Sequence, residues 1–329
     1  MNRRHAAALL AGAPFAAACR KQKASRVRLI VYTGAETPYV AQSLGHFTQQ
    51  GLEVEIQELA GAAKAMEALL GGSADVILGT LDQTLQVNAQ GKSVQAFRLL
   101  SECHCLGLVV SPAASKPIRT LADLKGATVG VAAPGGPMQN FLRFLLKRNQ
   151  IDPDQVNVAS VGIGPSALTA LERGRVDAAV VFHGTKEQLD RRGAAAPVLA
   201  ETFTHEGAQK VFGQESFPST SLIADRSWLQ AGPDRAKRIV NAFHETVAWM
   251  KSQPVEEVRK RLPEQGRSPD PEIDRATLGV LIPSLSSTGR IAARQARLAW
   301  DVLVSARPEI LAKPPRIETC FTNEYLPVR

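Results

Sequence analysis

Two stretches of the chain follow one grammar. Met66–Thr80 reads MEALLGGSADVILGT, and Leu168–Phe182 reads LTALERGRVDAAVVF. Each passes from an apolar helical run through a glycine to an aspartate and then into a short apolar strand. Gly72 and Gly174 suit helix ends, where only glycine adopts the left-handed conformation without cost. Asp75 and Asp177 follow three residues later, and the pattern predicts that they cap the turns into their strands. A repeated helix–strand unit in 329 residues predicts two α/β lobes rather than one core.

The remaining elements alternate in the same way. VRLIVYTG (27–34), LEVEIQEL (52–59), ADVILGT (74–80) and SVQAFRLL (93–100) read as strands. PYVAQSLGHFTQQG (38–51) reads as one helix closed by Gly51, and a helix opens at Gly61-Ala62. Thr80 and Gln83 have the spacing of a capping box. After CLGLVVSP the pattern restarts. A strand ends in Pro134-Gly135-Gly136, and PMQNFLRFLLKRNQI (137–151) is strongly amphipathic. From TSLIAD (220–225) onward the chain is mainly helical. Alternating strands and helices predict α/β architecture, with mixed, mostly parallel sheets flanked by helices.

Aromatic residues are only 5% of the chain, and its formal charge is +8. Lys and Arg are scattered, densest at Arg20–Lys23 and Arg259–Arg267. Few aromatics and dispersed charge argue against a nucleic-acid surface. The start MNRRHAAALLAGAPFAAAC has a basic end, a short apolar run and small residues. That is the pattern of an export signal over residues 1–18, followed by a tether over 19–25. Cys19 fits a lipidation site, although Ala16 stands where that pattern carries leucine. Ordinary cleavage after an A-x-A sequence is the alternative.

Ligands of open α/β sheets sit beyond the carboxyl ends of strands, beside helix N-termini. That rule selects Thr33, Glu36, Thr37 and Tyr39 after the first strand, Gly61 and Ala62 after the second, and Thr80 after the third. In the second unit it selects Gly135, Gly136 and His183. Glycines there allow backbone N–H groups close to a ligand, and hydroxyls add donors. Cys103-His104-Cys105 is poorly spaced for a metal, because alternate strand side chains oppose each other. Cys103 and Cys105 would share a face with His104 opposing them, and they are not expected to bridge easily. No metal, cofactor or catalytic constellation is predicted.

AQSLGHFTQQGLEVEI, GGSADVILGT, TLADLKGATVGVAAPGG and LERGRVDAAVV, in this order, resemble the solute-binding proteins of ABC importers. The similar group is the nitrate/sulfonate/taurine type, which includes binders of thiamine-pyrimidine precursors. The resemblance runs from Arg28 to Pro327. It implies a two-lobe periplasmic-binding-protein type II fold with ligand in the cleft. Lobe 1 would comprise 26–102 plus 217–329, and lobe 2 103–216, with crossings near Ser101–Cys103 and Glu215–Pro218. It implies a monomeric, non-enzymatic, periplasmic protein, held to the membrane through a lipid anchor and binding no nucleic acid. Its partners would be a small solute and the ABC permease and ATPase. The solute could be a sulfonate, nitrate, aromatic carboxylate or pyrimidine. The alternative is an enzyme of the same fold in thiamine-pyrimidine or menaquinone-precursor synthesis; the export signal argues against it. A regulator's effector domain would need a helix-turn-helix where the leader stands.

Overall fold

The computed structural model describes residues 24–32, 35–59, 61–103, 105–194, 196–214, 216–264, 267–268 and 270–327. The leader, Cys19 and Thr33 lie outside the described residues. The chain begins with β1 (Ser25–Tyr32), α1 (Glu36–Ser43), α2 (His46–Gln49), β2 (Leu52–Leu59), α3 (Ala62–Leu70), β3 (Val76–Thr80), α4 (Leu81–Ala89) and β4 (Val94–Leu99). It continues with β5 (Leu106–Val110), β6 (Thr128–Val131), α5 (Pro137–Arg148), β7 (Asn157–Ser160), α6 (Pro165–Glu172), β8 (Ala178–Phe182), α7 (His183–Arg191), β9 (Val198–Glu201) and α8 (His205–Phe212). β10 (Thr220–Asp225) precedes α9 (Arg226–Ala231), α10 (Pro233–Ser252), α11 (Val255–Arg259), α12 (Pro271–Ser284) and α13 (Ala293–Ala306).

Two five-stranded sheets result, ordered β2-β1-β3-β10-β4 and β7-β6-β8-β5-β9. β10 runs antiparallel to both its neighbours, as β5 does in the second sheet; the other pairs are parallel. The reversed strands are the ones the chain enters on crossing from one sheet to the other. Each sheet is thus mixed, with four of its five strands pointing one way.

The predicted helix over 38–51 is two helices. Gly45 sits at φ +73, which breaks the α-helical ladder and re-aims His46–Gln49. Phe47 thereby packs edge-on against Phe243 of α10. Asp75 and Asp177 act beyond their own turns. Asp75 accepts from the Arg28 amide and guanidinium of β1. Asp177 accepts from the Ser115 amide and hydroxyl and the Thr128 amide of β6. Each carboxylate ties its strand's start to a neighbour, which is why the same residue recurs at the same place.

Cys103 and Cys105 are disulfide-bonded, with Cα atoms 5.1 Å apart. The expectation that they would not bridge assumed a continuous strand. Instead Cys105 has φ +54, so the chain is not extended there and the two Cα atoms lie closer than the ~6.6 Å that separates alternate residues of a strand.

One core joins the two sheets. α13 packs on α4 from the first and on α5 from the second, burying Trp300 and Leu303 with Leu85 and Phe141. Arg143 of α5 donates to the Ala306 carbonyl at the end of α13. The carboxyl-terminal helix α13 therefore packs on both sheets' helices.

Candidate functional site

The first strand-end edge begins where β1 finishes. Tyr32 shares a 2.7 Å hydrogen bond with the Thr220 hydroxyl of β10. Thr220 lies opposite Thr80 in the sheet register. Thr80 ends β3 and starts α4, donating through amide and hydroxyl to Gln83 Oε1, each at 3.3 Å. This is the expected capping box; it orients Thr80 toward its own helix. Gly61, at φ +89, sits at the start of α3, where Ala62 is the first helical residue. Thr37 is buried inside α1, which favours packing over contact with solute.

Glu36 opens α1 and is half-buried. Protein surrounds it closely enough that burial pushes its carboxyl up to about 7, and the nearby Asp274 and Glu58 carboxylates add to the rise. Tyr39 donates to Glu58 Oε2 at 3.0 Å. Burial, with Glu58 adding, pushes its phenol up to about 12, so it remains a donor at neutral pH. Glu36, Tyr39, Glu58, Tyr32, Thr220 and Thr80 thus form one polar rim.

The second edge centres on the N-terminus of α5. Gly135 has φ +78, and its amide donates to Gln139. Gly136 is the residue before the helix. Arg307, just past α13, donates through Nε to Asn140 Oδ1 at 2.8 Å. A Cβ on Gly135 would stand 3.3 Å from Arg307 Nη2, so the guanidinium lies against this turn. Asn140 is 2% exposed, and its Nδ2 has no partner among the described residues. Because a guanidinium only donates, the amide oxygen must face it, leaving Nδ2 as a spare donor. His183 opens α7 and packs edge-on against Phe203, with Nδ1 buried and unpartnered. Burial lowers its pKa, so the ring is neutral near pH 7.

One helical turn of α12 connects the two edges. Asp274 is within electrostatic range of Glu36. Thr277, three residues on and on the same face, presses on Gly184, the neighbour of His183; a Cβ there would be 2.6 Å from Thr277 Oγ1. Arg191 of α7 adds ion pairs to Asp270 and Glu272 at 3.7 and 3.6 Å.

The strand-end rule had the means to find Tyr32 and Glu58, which stand at or next to strand termini. It could not find Arg307, Asn140 or Asp274. Their part depends on helices remote in sequence being folded against the edges. Among the described residues no group of three or more His, Cys, Asp or Glu side chains could hold a metal ion, and no helix is long and apolar enough to cross a membrane.

Known proteins share this plan. YtlA of Bacillus subtilis (strain 168), named as a binding protein, is 22% identical over 238 residues, 71% of this chain and 68% of its own. The 4-amino-5-hydroxymethyl-2-methylpyrimidine phosphate synthase THI13 of Saccharomyces cerevisiae is 21% identical, covering 88% of this chain and 85% of its own. A solved structure from Bordetella bronchiseptica RB50 superposes with TM-score 0.85 at 29% identity, covering 93% and 96% of the two chains. The alkanesulfonate-binding protein SsuA of Xanthomonas axonopodis pv. citri, bound to MOPS, gives 0.74 at 16%, covering 92% and 99%. The architecture is accordingly the periplasmic-binding-protein fold. The NMT1/THI5-like family model matches residues 35–257, more than half of the chain, and the protein belongs to that family.

Proposed function

We propose that this protein is the solute-binding component of an ABC importer, closing two lobes on a small solute and delivering it to the permease. The observation that carries the reading is one turn of α12 that lies beside both edges, with Thr277 against Gly184 and Asp274, held by Arg259 and the Ser268 amide, within electrostatic range of Glu36. Two strand-end rims beside one helix suit capture by closure. The lobes are 26–102 with 217–329, and 103–216, with α13 straddling them. Glu36, Tyr39, Gly61, Ala62 and Thr80 form one wall, and Gly135, Gly136 and His183 the other; Arg307 and Asn140 join the second.

The walls differ in character. The first presents carboxylates and phenols; the second presents a helix N-terminus, a guanidinium and a spare amide. An anionic group, as on a sulfonate, nitrate or aromatic carboxylate, suits the second wall by charge. A pyrimidine's ring N–H groups suit the first. Export behind the leader, with a lipid on Cys19, would place the protein in the cell envelope.

Native mass spectrometry of the purified protein, followed by thermal-shift titration with each of these classes, tests the reading. Stoichiometric binding with the solute returned unaltered is expected. Similarity to pyrimidine phosphate synthases over 88% of the chain supports a second reading, catalysis. Recovery of chemically changed solute over many turnovers would establish it and remove the first.

A further inference from the structure

Arg98 of β4 is 0% exposed, and its Nε, Nη1 and Nη2 all lack partners among the described residues. It takes part in no ion pair there, and burial alone lowers its pKa, to about 10. No carboxylate offsets the charge. An uncompensated buried charge is strongly unfavourable, and arginine cannot escape by losing its proton. Something must compensate it.

The local backbone directs the side chain to this place. Leu222 pairs with Arg98 but Ile223 pairs with Ala96, so Phe97 is an extra residue, a β-bulge. Without the bulge, Arg98 would share a face with Ala96 and Val94. With it, Arg98 shares the face of Leu222, which α10 covers. His244 of α10 lies within electrostatic range of Arg98, and its own Nδ1 is buried without a partner. Gly289, at φ +68, makes room: a Cβ there would fall too close to Arg98 Nη1 for any side chain. The covering loop, Leu285 to Ala292, has no regular secondary structure beyond an isolated bridge at Leu285.

We propose that Arg98 and His244, under the Gly289 loop, bind a small monovalent inorganic anion of chloride size inside the first lobe, apart from the solute cleft. Such an ion supplies the missing charge and accepts several N–H bonds at once.

The test compares sodium chloride with sodium gluconate at equal ionic strength, and adds crystals grown in sodium bromide. Chloride should raise the melting temperature of the wild type by a few degrees in a saturable way, because it binds only the folded state. Arg98→Met should melt alike in both salts. Anomalous scattering should place bromide against the guanidinium. The proposal fails if chloride stabilises variant and wild type equally, or if no bromide lies at Arg98. Should the variant not fold, the bromide position in the wild type decides alone.

Discussion

Gly184 and Thr277 meet where α7 of the second sheet presses on α12, close enough that a Cβ on Gly184 would lie 2.6 Å from the threonine hydroxyl. Gly184 lies in the α7 helix, outside the left-handed region that glycine favours. Its backbone accepts any residue, and only space is at stake. Gly184→Phe should therefore overpack against Thr277 at a cost of about 1–3 kcal/mol of stability, while lowering the folded protein's solute affinity at least about tenfold, ~1.4 kcal/mol. Small-angle scattering should show that solute compacts the wild type and not the variant. Equal compaction would show that this contact does not govern closure.

Arg191 reaches from α7 to Asp270 and Glu272 at the start of α12. The pairs are part-exposed and long, so each is worth about 0–1 kcal/mol and is screened by salt. Arg191→Glu places like charges together. Affinity for solute should fall about two- to fivefold at low ionic strength, and the difference should vanish near 0.5 M salt. Calorimetric titration at the two salt levels checks this. A salt-independent loss would point to packing.

Glu36 gives a pH signature. Its folded carboxyl is raised to about 7, by burial first and then by Asp274 and Glu58. The folded state holds its proton where the unfolded state has released it. The associated stability is present in full below the unfolded value near 4.5 and is lost as pH rises through about 7. Glu36→Gln stays neutral throughout. The variant should gain on wild type by about 1–3 kcal/mol between pH 5 and 8, read by urea unfolding across that range. Parallel pH profiles would contradict the raised carboxyl.

Much of this architecture was legible because its signals are local. The Gly–x–x–Asp repeat announced the two α/β sheets, and strand-end logic placed Glu36 and Gly135 beside helix starts. The break at Gly45 was hidden because a glycine inside an apolar pattern looks like a tolerated helical residue until Phe47 must turn toward Phe243. The Cys103–Cys105 bridge was hidden because no local pattern announces the left-handed backbone at Cys105 that shortens the span between them. Arg307 and Asn140 stand 167 residues apart. Only the packing of α13 on α5 joins them, and no local pattern carries that information.

Asp177 separates scaffold from site. Its carboxylate takes three hydrogen bonds, from the Ser115 amide, the Ser115 hydroxyl and the Thr128 amide. They hold the β8 start to β6 and to the loop after β5. Those bonds also draw its pKa below the ordinary carboxylate range, against the burial that raises it. Asp177→Asn replaces one accepting oxygen with a donor that faces an N–H group. The expected loss is about 1–3 kcal/mol of stability, measured by denaturant unfolding. That loss should shrink as pH falls through the depressed pKa, where the wild-type carboxyl itself takes a proton. Solute affinity of the folded variant should match wild type within about twofold, since the carboxylate is at the opposite end of β8 from His183. If affinity falls in step with stability, the β8 anchor and the binding edge are coupled, and Asp177 belongs to the machinery that sets the cleft.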